Sequence, residues 1–270
     1  MSPDLLFWLA LATKMAVTAA FVVFATWAAE RAGALIGALV VTLPIAAGPA
    51  YVFVALDHDA TFIAATALAS LGINAATGIF CLAYSILAQS RGLLVSFTAA
   101  LGSWIALAFL LRSIEWTLTG AILLNIAVYA VSIPLGERFR HAIMPPAVRR
   151  WYDVPLRAGM VAVLVAIVVA LSARVGPAVT VTLALFPVVL VSVVLIFQPR
   201  IGGPATAALI ANAISGLAGY AAALVVLYLM AMPAGVPAAL ILALAISIGW
   251  NLMIWGIHRG GAASADPAKP

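Results

Sequence analysis

Long apolar runs dominate this sequence and constrain its fold more than any other feature. A helix needs about 20 apolar residues to span the hydrocarbon core of a bilayer. Only 8% of the 270 residues are charged, against about 25% in soluble domains, so we expect lipid to be the solvent of this chain. Nine runs approach the required length: 5–29, 33–56, 60–88, 92–111, 114–135, 156–173, 177–197, 203–230 and 234–257.

These runs are continuous and lack the alternation of polar and apolar residues that a transmembrane β-barrel wall requires. The sequence therefore predicts an all-α polytopic membrane protein with about nine transmembrane helices and the lipid bilayer as a partner. Most connections are short, except the basic stretch 136–155. The end of the chain, 260–270, is small and polar and is predicted to be a disordered tail.

The positions of the basic residues predict the orientation in the membrane. If 136–155 is cytoplasmic and nine spans alternate, ten Lys and Arg residues fall inside and two, Arg112 and Arg174, fall outside. The positive-inside rule describes such a bias. We therefore expect the N-terminus outside and the C-terminus in the cytoplasm. The basic residues lie between apolar runs, so nucleic acid is not an expected partner.

An internal repeat relates the two parts of the chain. Scarce residue types recur at an offset of 143, drifting to 141 for Gly78 and Gly219 and to 146 for Trp104 and Trp250. The pairs at 143 are Pro3 and Pro146, Trp8 and Trp151, Lys14 and Arg157, Arg31 and Arg174, Gly33 and Gly176, and Pro44 and Pro187.

This repeat divides the chain into 1–112 with four spans, 113–145 with a linker helix and the start of the basic loop, 146–259 with four spans, and the tail. The second unit begins five spans after the first, an odd number, so it should be inserted upside down. Two four-helix inverted repeats joined by a linker helix are an architecture of secondary transporters. The alternative is a coincidence between similar membrane helices.

Each half resembles the GlpM-like small bacterial inner-membrane proteins of four predicted spans. The resemblance covers most of the chain but is carried by short motifs. It implies the four-span architecture and a bacterial inner membrane, and no particular activity. The residues that carry it are Lys14, Gly33 and Pro44, followed by Asp57-His58-Asp59, and in the second half Arg157, Gly176 and Leu183-Ala184-Leu185-Phe186-Pro187, followed by Gln198-Pro199-Arg200.

Lys14 and Arg157 are the first candidates for binding a substrate. A basic side chain well inside a span is costly unless it is paired or hydrated, which makes it a functional candidate. The two residues would approach the membrane centre from opposite sides and could hold an anion. The alternative is that both side chains snorkel to the interfaces.

Pro44 and Pro187 lie at matching places in the two halves, where each removes a backbone hydrogen bond. Helices broken at matching positions point to a central site in transporters built from inverted repeats. The alternative is a simple kink at each proline.

Intramembrane polar residues form a third candidate set. Asn74 and Asn212, with Ser215, lie in corresponding third helices and are expected near a central cavity. The alternative for all four intramembrane asparagines, which include Asn125 and Asn251, is hydrogen bonding to a neighbouring helix.

Catalytic chemistry is not expected. The sequence contains no phosphate-binding loop, no paired metal ligands and no Ser-His-Asp set, so we predict no catalytic residues, no metal and no cofactor. Asp57-His58-Asp59 could bind a cation or form a solvated turn. The tryptophans are expected in an interfacial belt, and Cys81 is expected to be a packing residue.

The leading functional hypothesis is a secondary transporter or exporter that moves a small, anionic or amphipathic solute by alternating access. The alternative is a non-transporting subunit of a membrane complex, for example one for envelope polysaccharide or lipid export. In that case the loop 136–155 would dock a membrane partner protein.

Overall fold

A computed structural model describes residues 47–140 and 186–264, together with isolated positions within 9–24 and 142–163. The described residues contain no β-strand. Their helices are α1 (Ala47–Asp57), α2 (Ala60–Leu87), α3 (Leu93–Leu111), α4 (Leu118–Glu137), α5 (Val188–Ile201), α6 (Gly203–Ala231) and α7 (Val236–Ser264).

Five of these helices, α2, α3, α4, α6 and α7, are long and apolar enough to cross a bilayer. They correspond to the third, fourth, fifth, eighth and ninth predicted spans, so the prediction of a multi-pass α-helical chain holds for the described residues. The helices α1 and α5 cover parts of the second and seventh spans. Most of the first and sixth spans lies outside the described residues.

Local sequence explains where several helices begin and end. The Asp59 side chain caps the start of α2 by accepting a hydrogen bond from the Phe62 amide, 2.9 Å away. Gly202 separates α5 from α6 with φ at +85°, a conformation that residues with a Cβ rarely adopt. The helix α7 continues to Ser264, so the segment predicted as a tail is helical at its start, since alanine favours helix there.

The outer surface of the bundle is strongly apolar. Leu94 is 75% exposed, Ile241 69% and Leu123 59%, each on a different helix. Soluble monomers rarely expose contiguous apolar surface on this scale. The exposed side chains therefore favour lipid as the surroundings of α3, α4 and α7.

The centre of the described bundle is the pair α2 and α6, which pack against each other along their length. Early residues of one helix meet late residues of the other, so the two helices are antiparallel. Three side-chain hydrogen bonds mark successive levels: Thr61 to Met232, Asn74 to Leu217, and Ser85 to Ala207.

The remaining helices surround this pair. The helix α4 contacts both α2 and α6. The helix α3 packs on α2 and also touches α5, whereas α7 packs on α6 and also touches α1. Each outer helix therefore contacts a helix of the other predicted half.

Candidate functional site

Three of the predicted site residues, Lys14, Arg157 and Pro44, lie outside the described residues, and their roles stay predictions. Pro187 is described and buried. It has φ −77° and ψ 55°, and α5 begins immediately after it at Val188. The backbone is therefore non-helical at this proline, and both the predicted helix break and a role for Pro187 in binding stay predictions.

Asn74 lies where α2, α4 and α6 meet, and we call Asn74, Asn125 and Tyr129 the asparagine cluster. The Asn74 amide nitrogen donates to the Asn125 side-chain oxygen and to the Leu217 carbonyl, both at 3.1 Å. The Asn125 amide donates to the Leu71 carbonyl at 2.7 Å, and the Tyr129 hydroxyl donates to the Asn74 carbonyl at 3.0 Å. These bonds tie the linker helix to the centre of the bundle.

The Asn212 side chain is exposed, and its amide donates to the Ala208 carbonyl of its own helix at 2.9 Å. A place beside a central cavity stays a prediction for this residue. The offset of 141 that relates Gly78 to Gly219 pairs Asn74 with Ser215 instead, and Ser215 is buried.

Ser215 receives a charged partner that the sequence analysis did not assign to it. The Arg140 guanidinium donates from Nη2 to the Ser215 hydroxyl, and Arg140 Nη1 lies 2.8 Å from Glu137 Oε2. The Ser215 carbonyl also accepts a hydrogen bond from Trp250 Nε1 at 2.9 Å. We call Arg140, Glu137 and Ser215 the arginine cluster.

The Arg140 side chain is largely enclosed, although the residue as a whole is only partly buried. The side chain is 6% exposed, whereas that of Glu137 is 46% exposed, and Arg140 Nε has no hydrogen-bond partner among the described residues. Ser215 lies twelve residues after the start of α6 at Gly203, about 18 Å along the helix axis at 1.5 Å per residue. A guanidinium at this depth is costly, and such charged groups in membrane proteins usually serve function.

Sequence analysis counted Arg140 only as a topology charge in the basic loop. A periodic signal could have identified it, because Asn125, Tyr129, Ser132 and Gly136 are all buried on one face of α4, at spacings of three or four residues. Arg140 follows Gly136 by four residues and lies in the turn directly after α4. The candidate site therefore lies at the end of the linker helix, outside the duplicated units.

A second set of buried polar residues joins α2, α3 and α5, and we call Tyr84, Ser96 and Gln198 the tyrosine cluster. The Tyr84 hydroxyl donates to Gln198 Oε1 at 2.8 Å, and the Ser96 hydroxyl donates to the same oxygen at 3.3 Å. All three side chains are buried and uncharged. Their mutual hydrogen bonds are typical of a structural contact between helices.

The described part of the basic loop is tied to the end of α5. Arg200 Nη1 and Nη2 each lie 2.7 Å from a carboxylate oxygen of Asp153, and the guanidinium lies 5.3 Å from the centre of the Tyr152 ring. The hydrogen bond to Asp153, together with the charge of that carboxylate, raises the pKa of Arg200. Trp151 is 86% exposed, and its ring meets the Tyr152 ring edge-on with a centroid distance of 5.9 Å.

The loop before α2 shows local roles for its polar residues. Asp59 caps the helix, and the His58 ring stacks on Phe62 with a centroid distance of 3.9 Å. Among the described residues there is no group of three His, Cys, Asp or Glu side chains that could hold a metal ion. These contacts favour the solvated turn over a cation site.

Two tryptophans pack against other helices of the bundle, and the prediction that they lie in an interfacial belt is wrong for them. Trp104 is 3% exposed, and its Nε1 donates to the Thr77 hydroxyl at 3.1 Å. Trp250 packs so closely on α6 that a Cβ at Gly219 would lie 2.3 Å from Trp250 Cδ1. The many Gly and Ala residues of the third and eighth predicted spans, which are α2 and α6, indicate such close helix packing, and the contact at Gly219 confirms it. Cys81 is fully buried, as expected of a packing residue.

Comparison with known proteins provides no relative from which to transfer a role. The chain matches no protein-family model, no curated protein and no solved structure. The functional argument therefore depends on the geometry of the described residues.

Proposed function

We propose that this protein is a secondary transporter in which two inverted halves alternately expose a central site for a small anionic solute. The observation that carries the proposal is the hydrogen bond between Asn74 and the Leu217 carbonyl. Under the offset of 141 that applies to these helices, the repeat counterpart of Asn74 is Ser215, which lies two residues from Leu217.

A contact between a residue and a close neighbour of its own counterpart supports an inverted repeat for a geometric reason. A two-fold axis in the membrane plane would relate α2 to α6, and only residues close to that axis can contact their own counterparts. The antiparallel packing of α2 and α6 agrees with such an axis near Asn74 and Leu217. The same two-fold rotation would also convert the contact between α3 and α5 into the contact between α7 and α1, and both contacts are present.

The arginine cluster supports an anionic solute. Ser215 lies two residues from Leu217, so the buried Arg140 guanidinium reaches α6 next to the proposed axis. Transporters built from inverted repeats bind their substrates near the bilayer midplane at the interface of the repeats. We place the protein in a bacterial inner membrane with the C-terminus in the cytoplasm, and each half remains a proposed GlpM-like unit.

Uptake into proteoliposomes tests the proposal. The probes are labelled lactate, succinate, phosphate and sulfate as anions, with alanine and glycerol as neutral solutes. We expect at least one anion to accumulate well above protein-free liposomes. Failure of all six probes, or uptake of the neutral probes alone, would contradict the proposed function.

The same proteoliposomes test the inverted repeat. Single cysteines replace Arg31 or Arg174 in a background in which Cys81 is changed to serine. An impermeant maleimide should label the two positions from opposite sides of the membrane. Labelling of both from one side would exclude the inversion.

The exposure of Trp151 favours one second candidate, a subunit that docks a membrane partner through the loop 136–155. An aromatic side chain that is 86% exposed beside an ordered ion pair is typical of a contact surface. A stoichiometric partner that co-purifies with the protein, and is lost when Arg149 and Arg150 are changed to glutamate, would support this candidate.

A further inference from the structure

We infer that Arg140 is the anion-binding residue, and that a small monocarboxylate binds it by taking the place of the Glu137 carboxylate. This inference rests on the proposed transport function and adds to it a residue and a substrate class. It starts from the buried guanidinium of Arg140, which holds one carboxylate and one hydroxyl and has a donor without a partner among the described residues.

The guanidinium has the donors that a carboxylate requires. It carries five N–H groups in a planar fork that matches the geometry of a carboxylate. Ser215 accepts from Nη2 and Glu137 lies on Nη1, whereas Nε has no partner within the described part of the chain. The guanidinium therefore has more donors than the two partners that it holds in the described part of the chain.

Glu137 identifies the chemistry of the ligand. Its carboxylate lies 2.8 Å from Arg140 Nη1, yet its side chain is 46% exposed. Glu137 also has a further interaction in the structure, and its exposure allows water to hydrate this carboxylate when a solute takes its place on Arg140. A solute carboxylate that replaces it leaves the guanidinium paired throughout the exchange.

Charge selects among carboxylates. An exchange of one monovalent carboxylate for another keeps the buried site neutral, whereas a divalent anion adds an unpaired charge in a medium of low dielectric constant. The site should therefore prefer lactate to succinate or sulfate. Ser215 holds Nη2 in place and positions the fork during the exchange.

The position of Arg140 on the chain suits alternating access. Arg140 follows the end of α4, which contacts both α2 and α6. A movement of α6 relative to α4 would change the environment of the guanidinium on the Ser215 side. The residue therefore lies between elements of the two proposed halves.

Ligand-dependent thermal stability in detergent tests this site without requiring transport. Sodium lactate, sodium succinate or sodium sulfate is titrated into the wild-type protein and into four variants. These variants are Arg140→Gln, Arg140→Lys, Glu137→Gln and the control Arg138→Gln. Arg138 is exposed and lies two residues from Arg140, so it matches the change in charge. Gel filtration identifies any variant that does not fold.

We expect lactate to stabilise the wild type and Arg138→Gln equally, and more than succinate or sulfate does. Arg140→Gln should raise the half-saturating lactate concentration more than about 30-fold, because the anion loses its charged partner. Arg140→Lys keeps the charge but loses the fork, so its half-saturating lactate concentration should lie between those of the wild type and Arg140→Gln. Glu137→Gln should lower that concentration about fivefold, because the competing carboxylate is gone.

Two results would overturn the inference: no stabilisation of the wild type by lactate, or equal lactate affinity in Arg140→Gln and Arg138→Gln. Uptake separates this inference from the transport proposal. Lactate binding that depends on Arg140, without uptake of any probe, would support the binding site and contradict the transport function. Uptake that is unchanged in Arg140→Gln would support the transport function and contradict Arg140 as the binding residue.

Discussion

The tyrosine cluster is buried and neutral, whereas the arginine cluster is charged and only partly buried. In the tyrosine cluster, the neutral hydroxyls of Tyr84 and Ser96 donate to one oxygen of Gln198. In the arginine cluster, Arg140 carries a charge, holds a half-exposed carboxylate, and has an Nε without a partner among the described residues. The first arrangement can hold helices together, whereas the second is costly to the fold.

This difference teaches how a buried polar group can be assigned to structure or to function. Hydrogen-bonded neutral side chains contribute a modest stabilisation between membrane helices. A buried ion pair is weak evidence for stability, because desolvation offsets its attraction. Stability measurements on the two clusters should therefore differ, and the following predictions test that difference.

The largest effect is expected where α6 begins beside the tyrosine cluster. A Cβ at Gly203 would lie 2.1 Å from the Ala88 carbonyl oxygen, which is backbone and cannot rotate away. Gly203→Ala should therefore separate α2 from α6 and lower the free energy of unfolding by about 3 kcal/mol. Thermal unfolding of the purified protein in detergent measures this loss.

Gly249→Ala is the matched control, because no atom lies within 4 Å of a Cβ at that position. It should leave stability unchanged or raise it slightly, since alanine favours helix more than glycine does. Equal stability of the two variants would show that the close approach of α6 to Ala88 does not hold the bundle.

A smaller loss is expected from Tyr84→Phe. The change removes the hydroxyl that donates to Gln198 at 2.8 Å and leaves that oxygen with the longer bond from Ser96. The free energy of unfolding should fall by about 1 kcal/mol, and uptake should persist. The half-buried Tyr228, changed to phenylalanine, is the control. Loss of uptake without loss of stability would assign the tyrosine cluster to function.

The smallest effect on stability is expected from Arg140→Met. The change removes a buried charge, and the Glu137 carboxylate that it leaves behind is 46% exposed and can be hydrated. Stability should stay within about 1 kcal/mol of the wild type or rise, whereas lactate-dependent stabilisation should disappear. Destabilisation greater than that of Tyr84→Phe would reverse the comparison and make Arg140 a structural residue.

Much of the secondary structure followed from the sequence. The third and eighth predicted spans, 60–88 and 203–230, match α2 and α6 to within one residue. Apolar length and short polar connections were enough, because a membrane helix must satisfy its own backbone hydrogen bonds over the whole hydrocarbon core.

The candidate site followed from the sequence much less well. Asn74 and Ser215 were identified and are buried, but Asn212 is exposed and Arg140 was placed in a loop. A helix that is apolar on all sides has no periodicity that shows which face packs against protein and which faces lipid. The rotation of each helix about its axis was therefore not predictable from composition.

The sequence by itself determined that the described chain is all-α and that five of its helices are long and apolar enough to cross a bilayer, because length and apolarity are properties of each segment alone. The tertiary structure decided that Arg140 reaches Ser215 and that Asn74 meets Leu217. Those contacts depend on the orientation of α2, α4 and α6 around one another. That orientation arises from packing between distant segments, where Gly203 lets two backbones approach.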